Sequence, residues 1–241
     1  MHATARTNCK LFFDTYLEFI PAQTSGRVLE VGSQDVNGSL RSVSPPGIDY
    51  IGVDFVEGQG VDVVIEDPYV LPFESGSIDV VLSSSCFEHS EMFWIIFLEI
   101  LRVLKPTGLF YLNAPSNGAF HRYPVDCWRF YPDSGRALVK WAHRTGVNAG
   151  LLESYISNQQ VDIWNDFVGV FLKDQNFVSL YPARIVDKFQ GFQNGLKFGS
   201  ENFLNPSTYP EDLLKPQLMK PLGRLAKSLL RRAAGLTLRQ P

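Results

Sequence analysis

Short runs of β-branched and aromatic residues recur along the chain, and segments with helical patterning separate them. Seven such runs predict strands at 27–31, 50–55, 61–65, 78–84, 108–115, 150–157 and 166–173. Several runs are apolar throughout, which is typical of strands covered on both faces. The alternation predicts an α/β fold with a doubly wound, Rossmann-like sheet that is mostly parallel. The last two runs lie close together, so we expect them to form an antiparallel hairpin.

Three segments predict helices, at 10–20, 90–105 and 132–144. Pro106 ends the second, and Pro132 with Asp133 suits the start of the third. The stretch 181–216 is rich in proline and tyrosine and predicts an irregular extension. We therefore expect a domain at 1–175 and a C-terminal extension at 176–241.

Composition excludes several classes of protein. The chain has 241 residues and a net charge of −3, which argues against a nucleic-acid partner. Its three cysteines, Cys9, Cys86 and Cys127, fit neither a zinc spacing nor a disulfide framework, and no metal site is predicted. The N-terminus lacks the apolar segment of a signal peptide, and no apolar run approaches the ~20 residues of a membrane span. These features predict a cytoplasmic protein and leave its oligomeric state open.

The segment after Asp212 is basic and amphipathic. Its cations include Lys220, Arg224, Lys227 and Arg231 at helical spacing, and leucines occupy another face. Such a helix can dock on an anionic membrane surface or on a protein partner. It can equally pack on its own domain with its cations solvated, and the sequence slightly favours that arrangement.

Carboxylates follow the first three predicted strands. Glu30 and Gly32 end the first strand, Asp54 ends the second, and Asp67 follows the third. The carboxyl ends of parallel strands meet at one edge, where open α/β sheets bind ligands. An acid slightly more than twenty residues beyond a glycine turn is placed to accept hydrogen bonds from ribose hydroxyls.

The glycine turn "GSQDVNG" (32–38) helps to identify the class of cofactor. A dinucleotide needs a G-x-G-x-x-G turn against its pyrophosphate, whereas this turn lacks the third glycine and carries Asp35. That argues against NAD and is compatible with a cofactor that carries a sulfonium and an amino group. Asn37 and Gly38 are predicted to open the next helix, with Asn37 as its cap.

Four segments occur in the order and spacing of a known family. They are "VLEVGSQDVNG", "YIGVDF", "EDPYVLPFESGSIDVVLSSSCFEH" and "EILRVLKPTGLFYLNAP". Over residues 27–115 the chain resembles class I S-adenosylmethionine-dependent methyltransferases, in particular the methyltransferase type 11 group. The resemblance implies a seven-stranded sheet with an antiparallel last strand, and S-adenosylmethionine as cofactor.

The resemblance also implies which residues bind the cofactor. Glu30, Gly32, Ser33 and Gln34 match the segment at the methionine moiety, and Asp54 with Phe55 matches the ribose site. Asp67 and Pro68 match the adenine site, and Ser84 and Ser85 match the segment beside the sulfonium. Gln34 and Asp35 depart from the glycine or small residues that many members carry. Whether they contact the methionine end or only shape the turn is left open.

Candidate catalytic residues follow the fourth and fifth strands. His89 lies in "FEHSEMFW" and is predicted to line the pocket, with catalysis the less favoured role. His121 and Asp126 lie in "HRYPVDCWRFYP" (121–132), where His121 can act as a general base. Asp126 can instead pair with Arg122 or Arg129 as a structural contact. The segment resembles one found in methyltransferases associated with surface-polysaccharide biosynthesis.

These observations predict O-methylation of a sugar hydroxyl in a glycan or its precursor. Aromatic faces together with carboxylates and arginines suit carbohydrate rings, which present apolar C–H patches and hydroxyls. A lipid or quinone-like small molecule is an alternative acceptor, motivated by the basic tail. A non-catalytic binding module is a further alternative, motivated by the altered glycine turn.

Overall fold

The computed structural model describes residues 2–20, 26–159 and 162–208. The order of its helices and strands is α1 (Ala3–Tyr16), β1 (Arg27–Val31), β2 (Asp49–Asp54), β3 (Val63–Val64), β4 (Ile78–Ser84), α2 (Phe93–Val103), β5 (Leu104–Pro115), α3 (Ser134–Arg144), β6 (Gly150–Ser157), β7 (Asp166–Leu172) and β8 (Phe192–Lys197). The predicted basic helix of the tail lies outside the described residues. Residues Met1–Pro206 form one compact unit, and the predicted domain boundary at 175 stays a prediction.

The strands form a single sheet in the order β3-β2-β1-β4-β5-β7-β6-β8. The pairs from β3 to β5 are parallel, whereas β7 runs antiparallel to β5 and β6. The predicted hairpin and the predicted mostly parallel α/β fold are therefore confirmed. Strand order reverses between β1 and β4, so the cleft beside the ends of these strands is the expected ligand site.

Buried apolar side chains cover both faces of the sheet. Helix α1 places its buried positions, including Cys9, Phe12 and Tyr16, in the cluster on one face. Helices α2 and α3 contribute Phe97, Leu138 and other residues to the cluster on the opposite face. This burial on both faces explains why every residue of β4, β6 and β7 is buried, rather than every second one.

The crossover from β1 to β2 differs from the prediction. A one-turn 3-10 helix, Leu40–Val43, replaces the expected helix, and Ser39 rather than Asn37 caps it by accepting a hydrogen bond from the Arg41 amide. Pro45 and Pro46 explain the early end, because a residue before proline is driven out of helical conformation. Between residues 26 and 92, all of them described, the chain forms no α-helix.

The stretch predicted to be irregular contributes an eighth strand. Strand β8 pairs antiparallel with β6 at the edge of the sheet. Glu153 of β6, which is buried, accepts hydrogen bonds from the Tyr16 hydroxyl (2.5 Å) and from the amides of Ile185 (2.7 Å) and Val186 (3.0 Å). One carboxylate thus joins α1, β6 and the segment that leads into β8.

Candidate active site

The glycine turn after β1 fits tightly between the ends of its neighbouring strands. Gly32 has a φ of +80°, and a Cβ there would lie 2.6 Å from the Cys86 Sγ atom. The amides of Gly32 and Ser33 both donate to the carbonyl oxygen of Val53, at 3.0 and 3.1 Å. Only glycine satisfies both the backbone conformation and the close approach.

Asp54 joins the glycine turn to the end of β2. Its Oδ2 atom accepts a hydrogen bond from the Gln34 amide at 3.1 Å, and Oδ1 accepts one from the Val56 amide at 3.2 Å. A carboxylate accepts about four hydrogen bonds, so two positions remain for ribose hydroxyls. The side chain is 9% exposed and lies at the predicted edge of the sheet.

Gln34 and Asp35 have different roles. The Asp35 Oδ1 atom accepts a hydrogen bond from the Gly38 amide at 2.6 Å, and its own amide donates to the Gln59 carbonyl at 2.8 Å. The Gln34 Oε1 atom accepts a hydrogen bond from the Tyr123 hydroxyl at 3.1 Å. Asp35 therefore shapes the turn, while Gln34 links the turn to the segment 121–132.

Glu30 lies under the turn and is buried. Its Oε2 atom accepts a hydrogen bond from the Tyr50 hydroxyl at 2.6 Å. Burial raises the pKa of the Glu30 carboxyl to about 7, and the Tyr50 hydrogen bond and the charge of Arg41 oppose this rise. Neutral pH is thus close to the pKa of Glu30, so its protonated and ionised forms are both populated.

Buried serine hydroxyls provide a test of whether the pocket fits its expected cofactor. Among the described residues, the Oγ atoms of Ser33, Ser84 and Ser85 are buried and have no hydrogen-bond partner. They lie at the ends of β1 and β4, the strands between which the sheet order reverses. Hydroxyls left without partners at this position fit a polar ligand such as the methionine moiety of S-adenosylmethionine.

The predicted adenine and ribose residues line the outer part of the same edge. Phe55 is half exposed, and Asp67 and Pro68 are exposed. The Asp67 Oδ1 atom accepts a hydrogen bond from the Tyr69 amide at 2.8 Å, which leaves Oδ2 for a ligand amino group. The roles of these residues toward the cofactor stay predictions.

The two candidate histidines lie together, between the turn after β4 and the segment after β5. The rings of His89 and His121 are 5.1 Å apart between centroids and nearly perpendicular. The His89 Nδ1 atom is bonded to the Val125 carbonyl oxygen, and the His121 Nδ1 atom lies 3.0 Å from the Ala119 carbonyl oxygen. Burial lowers the pKa of His89 below its usual range, which favours the neutral imidazole.

Asp126 is engaged by Arg129, the structural pairing that the sequence left open. The Arg129 Nη1 and Nη2 atoms donate to its two carboxylate oxygens at 2.6 and 2.9 Å. These hydrogen bonds lower the pKa of the Asp126 carboxyl to about 2, so it is ionised and a poor base at neutral pH. Its Oδ2 atom also accepts a hydrogen bond from the His121 amide at 2.7 Å, which positions that histidine.

Glu88 is a residue that the sequence reasoning missed. Its carboxylate is buried, and its Oε2 atom has no hydrogen-bond partner among the described residues. Burial raises the pKa of Glu88 to about 8. Its backbone carbonyl accepts hydrogen bonds from Cys127 and Trp128, which fixes the 121–132 segment over it. The only signal in the sequence was its position next to His89.

An aromatic cleft of about 410 Å³ adjoins this cluster. Its walls are contributed by α2, α3 and the segment 121–132, including Phe93, Trp94, Trp128 and Trp141. The Trp128 and Trp141 indole N–H groups donate to backbone carbonyl oxygens, so the rings present apolar faces. Arg129 lines the cleft and also binds Asp126.

The start of α1 also lies close to His121. His2 stacks on Trp164 with 5.5 Å between ring centroids, and Trp164 lies 5.3 Å from His121 by the same measure. The Thr4 hydroxyl and amide both donate to the carboxylate of Asp162. His2 therefore lies beside Trp164, which contacts His121.

Among the described residues, no helix is both long and apolar enough to cross a membrane.

A search of curated proteins finds no match to the chain.

Comparisons with known domains and structures agree with this architecture. Residues 39–112 match the family model of a methyltransferase domain. The CurJ carbon methyltransferase superposes with a TM-score of 0.51 and 15% identity, over 70% of this chain and 54% of that one.

Two further solved structures give lower TM-scores. A Burkholderia thailandensis 1,6-didemethyltoxoflavin-N1-methyltransferase, solved with S-adenosylhomocysteine, gives 0.49 at 14% identity over 71% of this chain and 79% of its own. A Haloferax volcanii putative methyltransferase, solved with a methyltransferase activator, gives 0.48 at 17% identity over 72% and 94%.

The similarity to CurJ supports the fold. The domain match confirms the predicted enzyme class and cofactor. The chain therefore carries an S-adenosylmethionine-dependent methyltransferase domain.

Proposed function

We propose that the enzyme methylates a hydroxyl oxygen of a sugar, in a glycan or its precursor. The observation that carries this proposal is the convergence of His89 and His121 beside the cofactor segment of β4, next to an aromatic cleft. Imidazoles serve the removal of a hydroxyl proton, and indole faces suit the C–H patches of a sugar ring. An amine or carbon acceptor would have less use for two imidazoles placed as bases.

Several residues of the chain have a role in this reaction. S-adenosylmethionine, when bound, supplies an electrophilic methyl group together with its own neutral thioether leaving group. The acceptor oxygen forms the new bond to carbon, and its proton passes to an imidazole nitrogen of His89 or His121. Asp126, held by Arg129, positions His121 through the backbone amide. Ser84 and Ser85 line the path between the two substrates.

The cofactor roles proposed for Glu30, Gly32, Ser33, Gln34, Asp54, Phe55, Asp67 and Pro68 follow from their position along one sheet edge. Asp54 is the most informative of them, because its carboxylate has capacity for ribose hydroxyls. Exchange of Asp54 for alanine is expected to weaken binding of S-adenosylhomocysteine at least ~10-fold, from the loss of charge-assisted hydrogen bonds. Titration calorimetry measures this directly.

A matched control separates ligand contact from loop tethering. Asp62 also tethers a loop, by accepting a hydrogen bond from the Gly52 amide at 2.7 Å, and it pairs with Arg41. Exchange of Asp62 for alanine should affect cofactor affinity much less than the exchange of Asp54. Equal losses in both variants would mean that Asp54 acts only through the loop.

The acceptor class is tested by transfer of a labelled methyl group to a panel of nucleotide sugars and oligosaccharides. After hydrolysis, an O-methyl sugar should be found with the wild-type protein and with His143→Ala, and much less with His121→Ala. Label in an N-methyl or C-methyl product, or in none of the hydroxyl acceptors, would contradict the sugar assignment.

A lipid-linked or quinone-like acceptor is the second candidate, and the apolar lining of the cleft favours it. A lipid-linked sugar would place its ring near His121 and its apolar part along Trp128 and Trp141. Exchange of Trp141 for alanine should then raise the KM for a lipid-linked acceptor more than for the free sugar. Steady-state kinetics with the two acceptors compares these values.

A further inference from the structure

Three side chains that can bind a metal ion converge on the acceptor side. Glu88, His89 and His121 each bring one potential ligand atom within 4.8 Å of the others. The His89 Nε2 atom lies 3.7 Å from the Glu88 Oε1 atom. The three residues come from the turn after β4 and from the segment after β5, so the fold rather than a local sequence motif brings them together.

The two histidines are oriented as metal ligands usually are. In each ring the Nδ1 atom is next to a backbone carbonyl oxygen, of Val125 for His89 and of Ala119 for His121. A carbonyl oxygen can only accept, so these contacts favour the tautomer with the proton on Nδ1 and the lone pair on Nε2. At His121 the Arg129 Nη2 atom is also near Nδ1, but at 3.4 Å it is farther away than the carbonyl oxygen at 3.0 Å. Such a hydrogen bond to the far nitrogen is the common support of a metal-binding histidine.

Glu88 gives an independent indication of a missing partner. Its side chain is 1% exposed, and within the described residues its Oε2 atom has no hydrogen bond. A buried carboxylate oxygen without a partner is costly unless a ligand or an ion satisfies it. The other carboxylate oxygen, Oε1, lies 3.7 Å from the His89 Nε2 atom, so the Glu88 side chain faces the cluster.

We propose that Glu88, His89 and His121 bind a divalent first-row transition ion such as Zn²⁺. Two imidazoles and one carboxylate suit such ions, whereas Mg²⁺ and Ca²⁺ prefer all-oxygen ligand sets. Three atoms within 4.8 Å of one another leave a point that is no more than about 2.8 Å from each of them. Shifts of about 0.7 Å therefore bring the donors to the roughly 2.1 Å of a zinc–nitrogen bond.

The surrounding charge is compatible with a cation. Arg129 is a positive group close to the cluster, and its Nη2 atom lies 3.4 Å from the His121 Nδ1 atom, on the side of the ring away from Nε2. Its charge is compensated by the bidentate pair with Asp126. Glu88 would give up its proton on binding the ion and would then supply the negative charge next to it.

The ion would define the acceptor more closely, an extension that rests on the proposed function. Three protein ligands leave at least one position open, as in catalytic zinc sites. An acceptor with two neighbouring oxygens, such as a vicinal diol of a sugar, would bind there through both. Coordination would lower the pKa of the acceptor hydroxyl, and its proton would pass to water, because the imidazoles would be engaged as ligands. The oxygen then forms the bond to the methyl carbon as before.

The test is a titration of the full, chelator-treated chain with Co²⁺, followed by visible absorption. One equivalent should give the absorption bands of a nitrogen- and oxygen-bound ion, and Zn²⁺ but not Mg²⁺ should displace it. Glu88→Gln and His121→Ala should each weaken binding at least ~10-fold. His143→Ala removes a histidine whose Nε2 atom contacts only the Ala149 carbonyl oxygen, and it should bind as the wild type does.

Binding of S-adenosylhomocysteine in the presence of chelator shows that each variant is folded. No Co²⁺ spectrum from the wild type, or equal affinities in all variants, would overturn the ion site and leave the proposed function intact. Loss of cofactor binding with an undisturbed Co²⁺ spectrum would overturn the proposed function instead.

Discussion

Glu88 makes the stability of the protein depend on pH. Its carboxyl loses a proton near pH 4.5 in the unfolded chain and at about pH 8 in the folded one, because burial disfavours the charge. Between these values the folded state holds the extra proton, so the free energy of unfolding falls as pH rises. The slope from one such group is at most about 1.4 kcal/mol per pH unit.

Exchange of Glu88 for glutamine removes this dependence. Between pH 6 and pH 8, in chelating buffer, the wild type should lose about 2 kcal/mol more than the variant. Urea unfolding at the two pH values measures the difference. Glu30→Gln is the control. Because the pKa of Glu30 is about 7, Glu30 contributes to the pH dependence of the free energy of unfolding mainly below pH 7, and this contribution levels off above that pH. An unchanged pH slope in Glu88→Gln would contradict the buried, proton-binding state.

The sequence predicted the acids of the cofactor edge but not Glu88, and the reason is physical. Asp54 and Asp67 each follow a predicted parallel strand. Because the carboxyl ends of parallel strands meet at one edge of the sheet, the sequence predicts that these two acids lie at that edge. The partners of Glu88 and His89 come from residues more than thirty positions later, in an irregular segment. No periodicity encodes how such a segment folds back, so only the structure shows the cluster.

Among the secondary-structure elements, β6 is joined to other parts of the chain by hydrogen bonds to a buried carboxylate. Three donors from two other parts of the chain converge on Glu153. Exchange of Glu153 for alanine leaves these donors unsatisfied and should lower the free energy of unfolding by about 3 kcal/mol or more. Tyr16→Phe removes one hydrogen bond only and should cost about 1 kcal/mol. Chemical denaturation of both variants checks the ratio, and equal losses would contradict the proposed bracing role.

The strands that the sequence predicted best are those bounded by turn residues at both ends. The bounds of β1, β4 and β6 were predicted correctly because turn residues flank each run. Strand β8 was missed because "FQNGLK" has neither alternation nor a β-branched run. Its pairing depends on the edge that β6 offers, a tertiary effect that local propensity does not contain.

For the molecule as a whole, cofactor binding should be linked to stability. A ligand that binds only the folded state at 100 times its dissociation constant adds about 2.7 kcal/mol to the free energy of unfolding. For a compact unit of this size that corresponds to a rise in Tm of roughly 5–10 °C. Differential scanning calorimetry with S-adenosylhomocysteine measures it. Asp54→Ala at the same ligand concentration should show a much smaller rise, and NAD should cause none.

The position of His2 has a practical consequence for work on the protein. Its ring stacks on Trp164, which in turn contacts His121, so a tag fused ahead of His2 would start close to His121. A polyhistidine purification tag placed there would add imidazoles beside Glu88, His89 and His121. These imidazoles would compete with the three residues for a transition ion. Affinity measurements with transition ions therefore require a cleaved tag or a different purification handle.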